Sequence, residues 1–321
     1  MKIVSLFSGA GGLDLGLTWA GHQIIWANDI FEDAVSTYRA NLGDHIHMCD
    51  ITKVKSSKIP ACDVVVGGFP CQGFSVANRT RSISDPRNVL FHEMVRVVAD
   101  KKPRYFIAEN VKGLLSMEKG KVLADIKAEF ARVGYRVEHH LVNAADYGVP
   151  QSRWRVVIAG VRNDHEWFQT FPPPATHADP SFAASLGLKP WLAVGEALAH
   201  FPAPDGGAVI PNHAQSRYKL RFNGHLGHRV IDPLRPSPTV TARGDDRGGV
   251  VVLHHPDNLR RMTARELAAV QSFPDDFVFS GTKTSAYRQI ANAVPPLLGK
   301  AIGIMLTKAD ISMRRPRTEA A

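Results

Sequence analysis

Five short runs rich in apolar and β-branched residues, Ile3 to Phe7, Gln23 to Ala27, Asp63 to Val66, Tyr105 to Ala108 and Val156 to Ala159, read as strands. Between them Leu13 to Ala20, Glu32 to Asn41, Leu90 to Asp100 and Gly120 to Val133 repeat apolar residues at three- and four-residue spacing and read as helices. That alternation predicts a parallel sheet covered by helices, in which ligands bind beyond the carboxyl ends of the strands. The texture changes after Phe171. Pro172, Pro173 and Pro174 open a stretch of scattered Gly, Pro and His that runs to about Asn258 without strong periodicity, which predicts a smaller, loop-rich domain. Helical spacing returns at Thr263 to Ser272, and Ala291 to Leu306 predicts a last helix that rejoins the first domain. The boundaries that follow are 1–175, 176–282 and a returning segment 283–321. The tail with Arg314, Arg315 and Arg317 reads as a frayed basic end, and no internal repeat is visible.

A chain of 321 residues suits one large core with a satellite domain. Lys and Arg number 39 against 30 Asp and Glu, a formal charge of +9, which makes an anionic partner such as nucleic acid plausible. Cys49, Cys62 and Cys71 form neither a disulfide framework nor a paired zinc signature, so a reducing cytoplasm fits. Met1 and Lys2 lead straight into an apolar run, and no run approaches the ~18 apolar residues of a membrane span. The reading is a soluble, untargeted protein. Alternate residues of His45-Ile46-His47-Met48-Cys49 would share a strand face, but a strand edge beside Asp50 explains them without a metal; His139-His140 and His254-His255 lack partners at ligand spacing, and no metal is expected.

The strand ends carry the chemistry. The first empties into Phe7-Ser8-Gly9-Ala10-Gly11-Gly12, a glycine turn that lets a ligand approach backbone and helix N-terminus. The second ends in Asn28-Asp29, a carboxylate where ribose hydroxyls would lie, and a third in Cys49-Asp50-Ile51, with an acceptor and an apolar neighbour for an adenine ring. Val64-Val65-Val66 runs into Gly67-Gly68-Phe69-Pro70-Cys71-Gln72-Gly73-Phe74-Ser75, which sets a thiol in a glycine-flanked loop suited to a reactive cysteine. The next strand delivers Glu109-Asn110-Val111 to the same edge, so a nucleophile meets an acid or base.

These motifs resemble those of the C5-cytosine DNA methyltransferases of the bacterial modification type. Phe7 to Gly12 is similar to the family's cofactor loop, Gly67 to Ser75 to its Pro-Cys nucleophile loop, and Glu109-Asn110-Val111 to its Glu-Asn-Val. Gln151-Ser152-Arg153-Trp154-Arg155 resembles its Gln-x-Arg-x-Arg, and Arg261 to Glu266 through Gln271 to Pro274 its connecting helix. Tyr287 to Pro296 resembles its C-terminal cofactor motif, with Ala291 where glycine is commoner. Six matches in the family's order imply an α/β, Rossmann-like, mostly parallel sheet of the S-adenosylmethionine-dependent methyltransferase fold, with a loop-rich target-recognition domain.

The resemblance further implies the chemistry. The Cys71 thiolate adds to C6 of a cytosine, so that C5 gains enamine character toward the methyl of S-adenosylmethionine, leaving S-adenosylhomocysteine. Glu109 enters protonated and serves N3, Arg155 reaches O2, and Arg153 orders the pocket. The base that removes the C5 proton is not identified. The cofactor lies along Phe7, Ser8, Gly9, Gly11, Gly12, Leu13, Asp29, Ile30, Asp50, Ile51, Phe69, Leu90, Asn292 and Ala293, with Phe7 and Ile51 sandwiching adenine. The target base must be flipped from duplex DNA. Ala77 to Asn88, with Arg79, Arg81 and Arg87, reads as the lid that closes over it.

Between Arg217 and Arg247 seven basic residues face three acids, which marks this stretch for DNA contact. Ser237-Pro238-Thr239-Val240-Thr241 resembles the family's Thr-hydrophobe recognition signature. The DNA-contact candidates are Ser75, Arg79, Arg81, Arg87, Arg217, Arg221, Arg235, Thr239, Arg243 and Arg247. The reading is a cytoplasmic, nucleoid-associated enzyme acting at a short site, within a restriction-modification system with a cognate endonuclease or as an orphan. Three alternatives compete: a tRNA cytosine methyltransferase, whose Cys-Phe-Thr element is missing here; an RNA methyltransferase of the two-cysteine type, for which no second cysteine lies near Glu109 or beyond; and a catalytically silent DNA-binding regulator, against which Cys71, Glu109, Arg153 and Arg155 argue.

Overall fold

In a computed structural model, which describes residues 1–70, 89–204, 206, 209–225, 227–242 and 250–314, the chain opens with β1 (Lys2–Leu6), α1 (Gly12–Trp19), β2 (Gln23–Asp29), α2 (Glu32–Leu42), β3 (Ile46–Met48) and β4 (Val64–Gly67). It continues through α3 (Val89–Lys101), β5 (Tyr105–Val111), α4 (Lys121–Arg132), β6 (Tyr135–Asn143) and β7 (Trp154–Arg162). Cys71, Ser75, the lid with Arg79, Arg81 and Arg87, and Arg243 and Arg247 lie outside the described residues.

The seven strands form one sheet in the order β3-β2-β1-β4-β5-β7-β6. β1 lies parallel to β2 and β4, and β4 parallel to β5, as alternating strands and helices require. The alternation alone predicts a parallel sheet and the family resemblance a mostly parallel one, as found: β7 runs antiparallel between β5 and β6. β6 is an edge strand that the apolar pattern does not reveal. It carries Arg136, Glu138, His139 and His140 on its polar positions, the composition that protects an edge from further pairing.

Both faces of the sheet are covered. On one, Leu13 and Leu17 of α1, Val35 and Tyr38 of α2, and a long C-terminal helix pack on Ile3, Val64, Val66 and Ile107. On the other, Phe91, Met94 and Val98 of α3 and Ile126 and Phe130 of α4 pack on Val4, Val65 and Phe106, whose ring stacks on Phe130 at 3.9 Å.

Beyond β7 come short elements: β8 (His177–Ala178), α5 (Pro180–Ala183), β9 (Lys189–Pro190), α6 (Val194–Leu198), β10 (Thr241–Ala242) and β11 (Val250–Val251). α7 (Ala264–Val270), α8 (Lys283–Asn292) and α9 (Pro296–Arg314) complete the chain. A third core joins Val194, Leu198, Val240, Val252 and Leu267 to Tyr287 and Ile290 of α8 and to Ala10 and Leu15 of the first lobe. The elements after β7 therefore share apolar packing with Ala10 and α1, and α8 takes part in it. Thr263 caps α7 with a reciprocal box to Glu266, which Arg260 holds at 2.6 and 2.8 Å.

The last predicted helix starts later than its apolar spacing suggests, because Pro296 takes the first helical position, where a missing N–H is harmless. By length and composition Lys283–Ile311 is apolar enough to cross a membrane, which the reading by apolar runs does not register. It is two helices here, and Leu298, Ile302 and Leu306 are fully buried against the sheet layer.

α1 and α9 touch backbone to backbone. A Cβ on Gly16 would overlap the carbonyl oxygen of Pro296 and lie 2.5 Å from the amide nitrogen of Lys300. Neither backbone atom has room to yield. Gly16→Ala is therefore expected to separate α9 from α1 and lower stability by about 1–3 kcal/mol, the usual range for overpacking. Thermal melting of the variant beside wild type measures it.

Candidate active site

Where the carboxyl ends of β1, β2, β4 and β5 open, a cleft of about 400 Å³ is lined by Phe7, Ser8, Gly9, Leu13, Asp29, Ile30, Phe69, Pro70, Glu109, Asn292 and Ala293, among others. The turn after β1 is shaped by left-handed backbone at Phe7 (φ 55°), Gly9 (φ 54°) and Gly11 (φ 87°). A left-handed phenylalanine costs on the order of 1 kcal/mol and marks a position that its surroundings impose. A Cβ on Gly9 would meet open space, so this glycine faces the cleft. Gly11 and Gly12 do not. A side chain at Gly11 would strike Leu42 and Tyr38, and one at Gly12 would strike the Val294 carbonyl, so both glycines serve helix packing.

Asp29 braces the turn. One carboxylate oxygen accepts the Gly9 N–H at 2.8 Å and the other the Phe31 N–H at 2.9 Å. Ile30 projects beside it, 71% exposed. Arg288 of α8 lies over the Phe31 ring at 4.8 Å and closes that side. Asp50, Ile51 and Leu90, the other residues assigned to the cofactor, do not line the cleft. Asp50 caps a 3₁₀ turn, accepting from the Thr52 amide at 3.0 Å and its hydroxyl at 2.7 Å. Ile51 is buried in the core against which Phe7 and Leu90 pack.

Glu109, at the end of β5, pairs with Arg155 of β7, Nε to Oε1 at 2.8 Å, both side chains nearly buried. The antiparallel register brings them together: Val111 lies opposite Arg155, two residues from Glu109 on the same face. Burial pulls the Arg155 guanidinium below its ordinary range, and the Glu109 carboxylate opposes this. Asn110 fixes the neighbouring loop by donating to the Phe69 carbonyl at 3.2 Å.

Arg153 is 1% exposed. Its guanidinium donates to the carbonyls of Val240 (2.8 Å), Ala291 (2.9 Å) and Ala293 (3.0 Å). Gln151 accepts from the Val240 amide at 2.9 Å and donates to Gln271 at 3.0 Å. Thr239, assigned to DNA, instead donates its hydroxyl to the Ser152 carbonyl at 2.7 Å. Arg217, Arg221 and Arg235 are exposed on the second lobe, Arg235 3.8 Å from Asp232. His45 and His47, considered for metal, face Tyr38 (3.0 Å) and the Trp26 ring (5.3 Å). Asp14, which lines the cleft, is given no role by the sequence reading, and Gln151 enters it only as the first residue of the Gln-x-Arg-x-Arg run. A carboxylate inside the apolar run Leu13 to Leu17 is the signal that marks the first.

Loss of the Arg153 guanidinium would leave three buried carbonyls without donors, at about 1–3 kcal/mol each. Arg153→Met is thus expected to lower the melting temperature strongly, and Arg153→Lys less, because an ammonium still serves part of the set. Equal melting temperatures for wild type and the Met variant would contradict this role.

Residues 1–191 and 204–308 match the family C-5 cytosine-specific DNA methylase. Type II methyltransferase M.NgoFVII of Neisseria gonorrhoeae is 40% identical over 322 residues, covering 92% of this chain and 83% of the relative. Type II methyltransferase M1.HphI of Haemophilus parahaemolyticus is 39% identical over 343 residues, covering 97% and 87%. Among solved structures, the Entamoeba histolytica methyltransferase EhMeth (TM-score 0.71, 17% identity, 98% of this chain and 99% of that one) shares the fold. So does the S. pombe Dnmt2 methyltransferase (TM-score 0.63, 19% identity, 98% and 100%). A family match over nearly the whole chain, with Type II methyltransferases as its sequence relatives, has one consequence: the chain belongs to the C-5 cytosine-specific DNA methylases.

Proposed function

We propose that this enzyme methylates C5 of a cytosine flipped from duplex DNA at a short specific sequence, with S-adenosylmethionine as donor and Cys71 as nucleophile. The observation that carries the reading is the convergence on one cleft of Pro70, the residue before Cys71, and Glu109, which Arg155 pairs from behind. The other two cysteines are poor nucleophiles: burial raises the thiol of Cys49 and pushes that of Cys62 up to about 12.

The cleft fits an adenosyl donor. Open space over Gly9 admits a ligand against the backbone, Phe7 and Ile30 offer apolar faces to a purine, and Asp29 keeps lone pairs for ribose hydroxyls. When bound, S-adenosylmethionine supplies an electrophilic methyl group. The chain's residues do the rest. Cys71 adds to C6, and charge gathers toward N3 and O2. As the base enters, their ion pair opens: Arg155 turns to O2, and Glu109 takes up a proton from solvent and presents it to N3 as charge develops there. Arg153 keeps the walls in place. Residues 176–258, with the exposed Arg217, Arg221 and Arg235, read the target, and the lid 77–88 excludes water. Type II relatives favour a modification enzyme, either beside a cognate endonuclease or alone.

Cys71→Ala is expected to abolish transfer of labelled methyl groups to duplex DNA while retaining donor affinity, and 5-fluorocytosine duplex should trap wild type covalently, since fluorine blocks elimination. Methylation of tRNA instead of DNA, or an active Cys71→Ala protein, would overturn the proposal. Glu109→Gln should cut kcat on the order of 10²-fold or more with DNA affinity nearly kept. A loss confined to affinity would assign Glu109 another role.

A further inference from the structure

The floor of the cleft holds a carboxylate that the chemistry above does not employ. Asp14, in the first turn of α1, is 1% exposed yet lines the cleft. Its Oδ1 accepts the Ser5 hydroxyl of β1 at 2.7 Å, and its Oδ2 the Tyr38 hydroxyl of α2 at 2.8 Å. Tyr38 also meets Nε2 of His45, before β3, at 3.0 Å. Because the phenol proton is committed to Asp14, the imidazole donates to the phenol oxygen, and burial holds His45 below its ordinary range. The other charged groups around the cleft are Asp29 at the end of β2, Glu109 at the end of β5, bound to Arg155, and Arg288 of α8, over Phe31.

Asp14's hydrogen-bond partners are thus two neutral hydroxyls. Burial pushes it up to about 6 and those hydroxyls oppose the rise. Where it is ionised it is a buried anion that no cation among the described residues contacts. A group kept ionised at such a cost inside a ligand cleft is a candidate for function. The ligand can supply what the protein lacks. A sulfonium donor carries a positive charge on sulfur, and after the methyl group leaves, sulfur keeps the bonding electron pair as a neutral thioether. Donor and product are otherwise alike in ammonium, carboxylate and nucleoside.

We propose that Asp14 is the charge-selecting residue of the cleft, its buried carboxylate favouring the sulfonium donor over the thioether product. This rests on the reading of the cleft as the S-adenosylmethionine site. It gives the enzyme a means of releasing product in favour of fresh donor, and it makes that preference dependent on pH. Protonation of Asp14 as pH falls through about 6 removes the charge that distinguishes the ligands. The empty fold responds with the opposite sign. With its pKa raised from 3.8 to about 6, this group's contribution to stability is full below pH 3.8 and lost as pH rises through about 6.

The test is calorimetric titration of wild type, Asp14→Asn and Tyr38→Phe with S-adenosylmethionine and S-adenosylhomocysteine from pH 5 to pH 8. In wild type the preference for donor over product should fall on the order of tenfold between pH 8 and pH 5, the equivalent of one pKa unit. In Asp14→Asn it should be lower by a similar factor at pH 8 and flat with pH, while the empty variant melts at higher temperature than wild type at pH 8. Tyr38→Phe removes one donor to the carboxylate, so selection should persist at pH 8 but fade at a higher pH than in wild type. A purely structural Asp14 would change both affinities alike. An unaltered donor-to-product ratio in Asp14→Asn, or a pH-independent ratio in wild type, overturns the inference; should Asp14→Asn not fold, the wild-type and Tyr38→Phe series decide alone. Wild type that binds neither ligand overturns the reading of the cleft, and the inference with it.

Discussion

Arg153 carries its charge into a buried position where the backbone carbonyls of Val240, Ala291 and Ala293 replace water. Those carbonyls belong to segments far apart in the chain. Val240 leads into the strand pair of the second lobe, while Ala291 and Ala293 flank Asn292 at the cleft wall. Burial pulls the guanidinium well below its ordinary range, and the nearby charge of Arg155 adds to this while Glu109 opposes it. Both terminal nitrogens find acceptors while the buried Nε has no partner, so the charge rests on these three bonds, and removing it frees every acceptor at once. The second lobe, the cleft wall and the Glu109–Arg155 pair therefore share one anchor.

The sheet explains why that anchor lies where it does. Parallel β1, β2, β4 and β5 bring their carboxyl ends to one edge, so the turn after Leu6, the carboxylate of Asp29, the loop after Gly67 and Glu109 meet without any residue having to reach. Antiparallel β7 starts at that same edge, which is how Arg153 and Arg155 arrive opposite the end of β5. Glycines then divide the work. Gly9 leaves room for a ligand, whereas Gly11, Gly12 and Gly16 let α1 lie against α2, α8 and α9.

Much of this was legible in the sequence because the elements that build the cleft have strong periods. Apolar runs located β1, β2, β4, β5 and β7 and the helices between them, and residues just past each strand supplied the cleft's Phe7, Asp29, Phe69 and Glu109. β6 escaped because an edge strand bearing Arg136, Glu138 and two histidines has no apolar run to detect. The direction of β7 escaped because a strand's sequence does not encode its partner. Motif spacing named Arg153 and Thr239, but their hydrogen bonds to backbone oxygen, buried for Arg153 and half-buried for Thr239, arise from the meeting of segments some ninety residues apart. Asp50 and Ile51 follow a β3 of three residues, and the turn after it folds Asp50 onto Thr52, outside the lining of the cleft. Asp14 was hidden as a polar position in a helix that is buried along most of its length.

The cleft formed at these strand ends is proposed to serve methylation of cytosine C5 in DNA. The most direct measurement is bisulfite sequencing of plasmid DNA recovered from cells that express the protein. C5-methylated cytosines resist deamination, so the account predicts protected cytosines confined to one short recurring sequence, absent from plasmid of cells expressing the Cys71→Ala variant. Uniform conversion of cytosine in a host that accumulates the folded wild-type protein would contradict it.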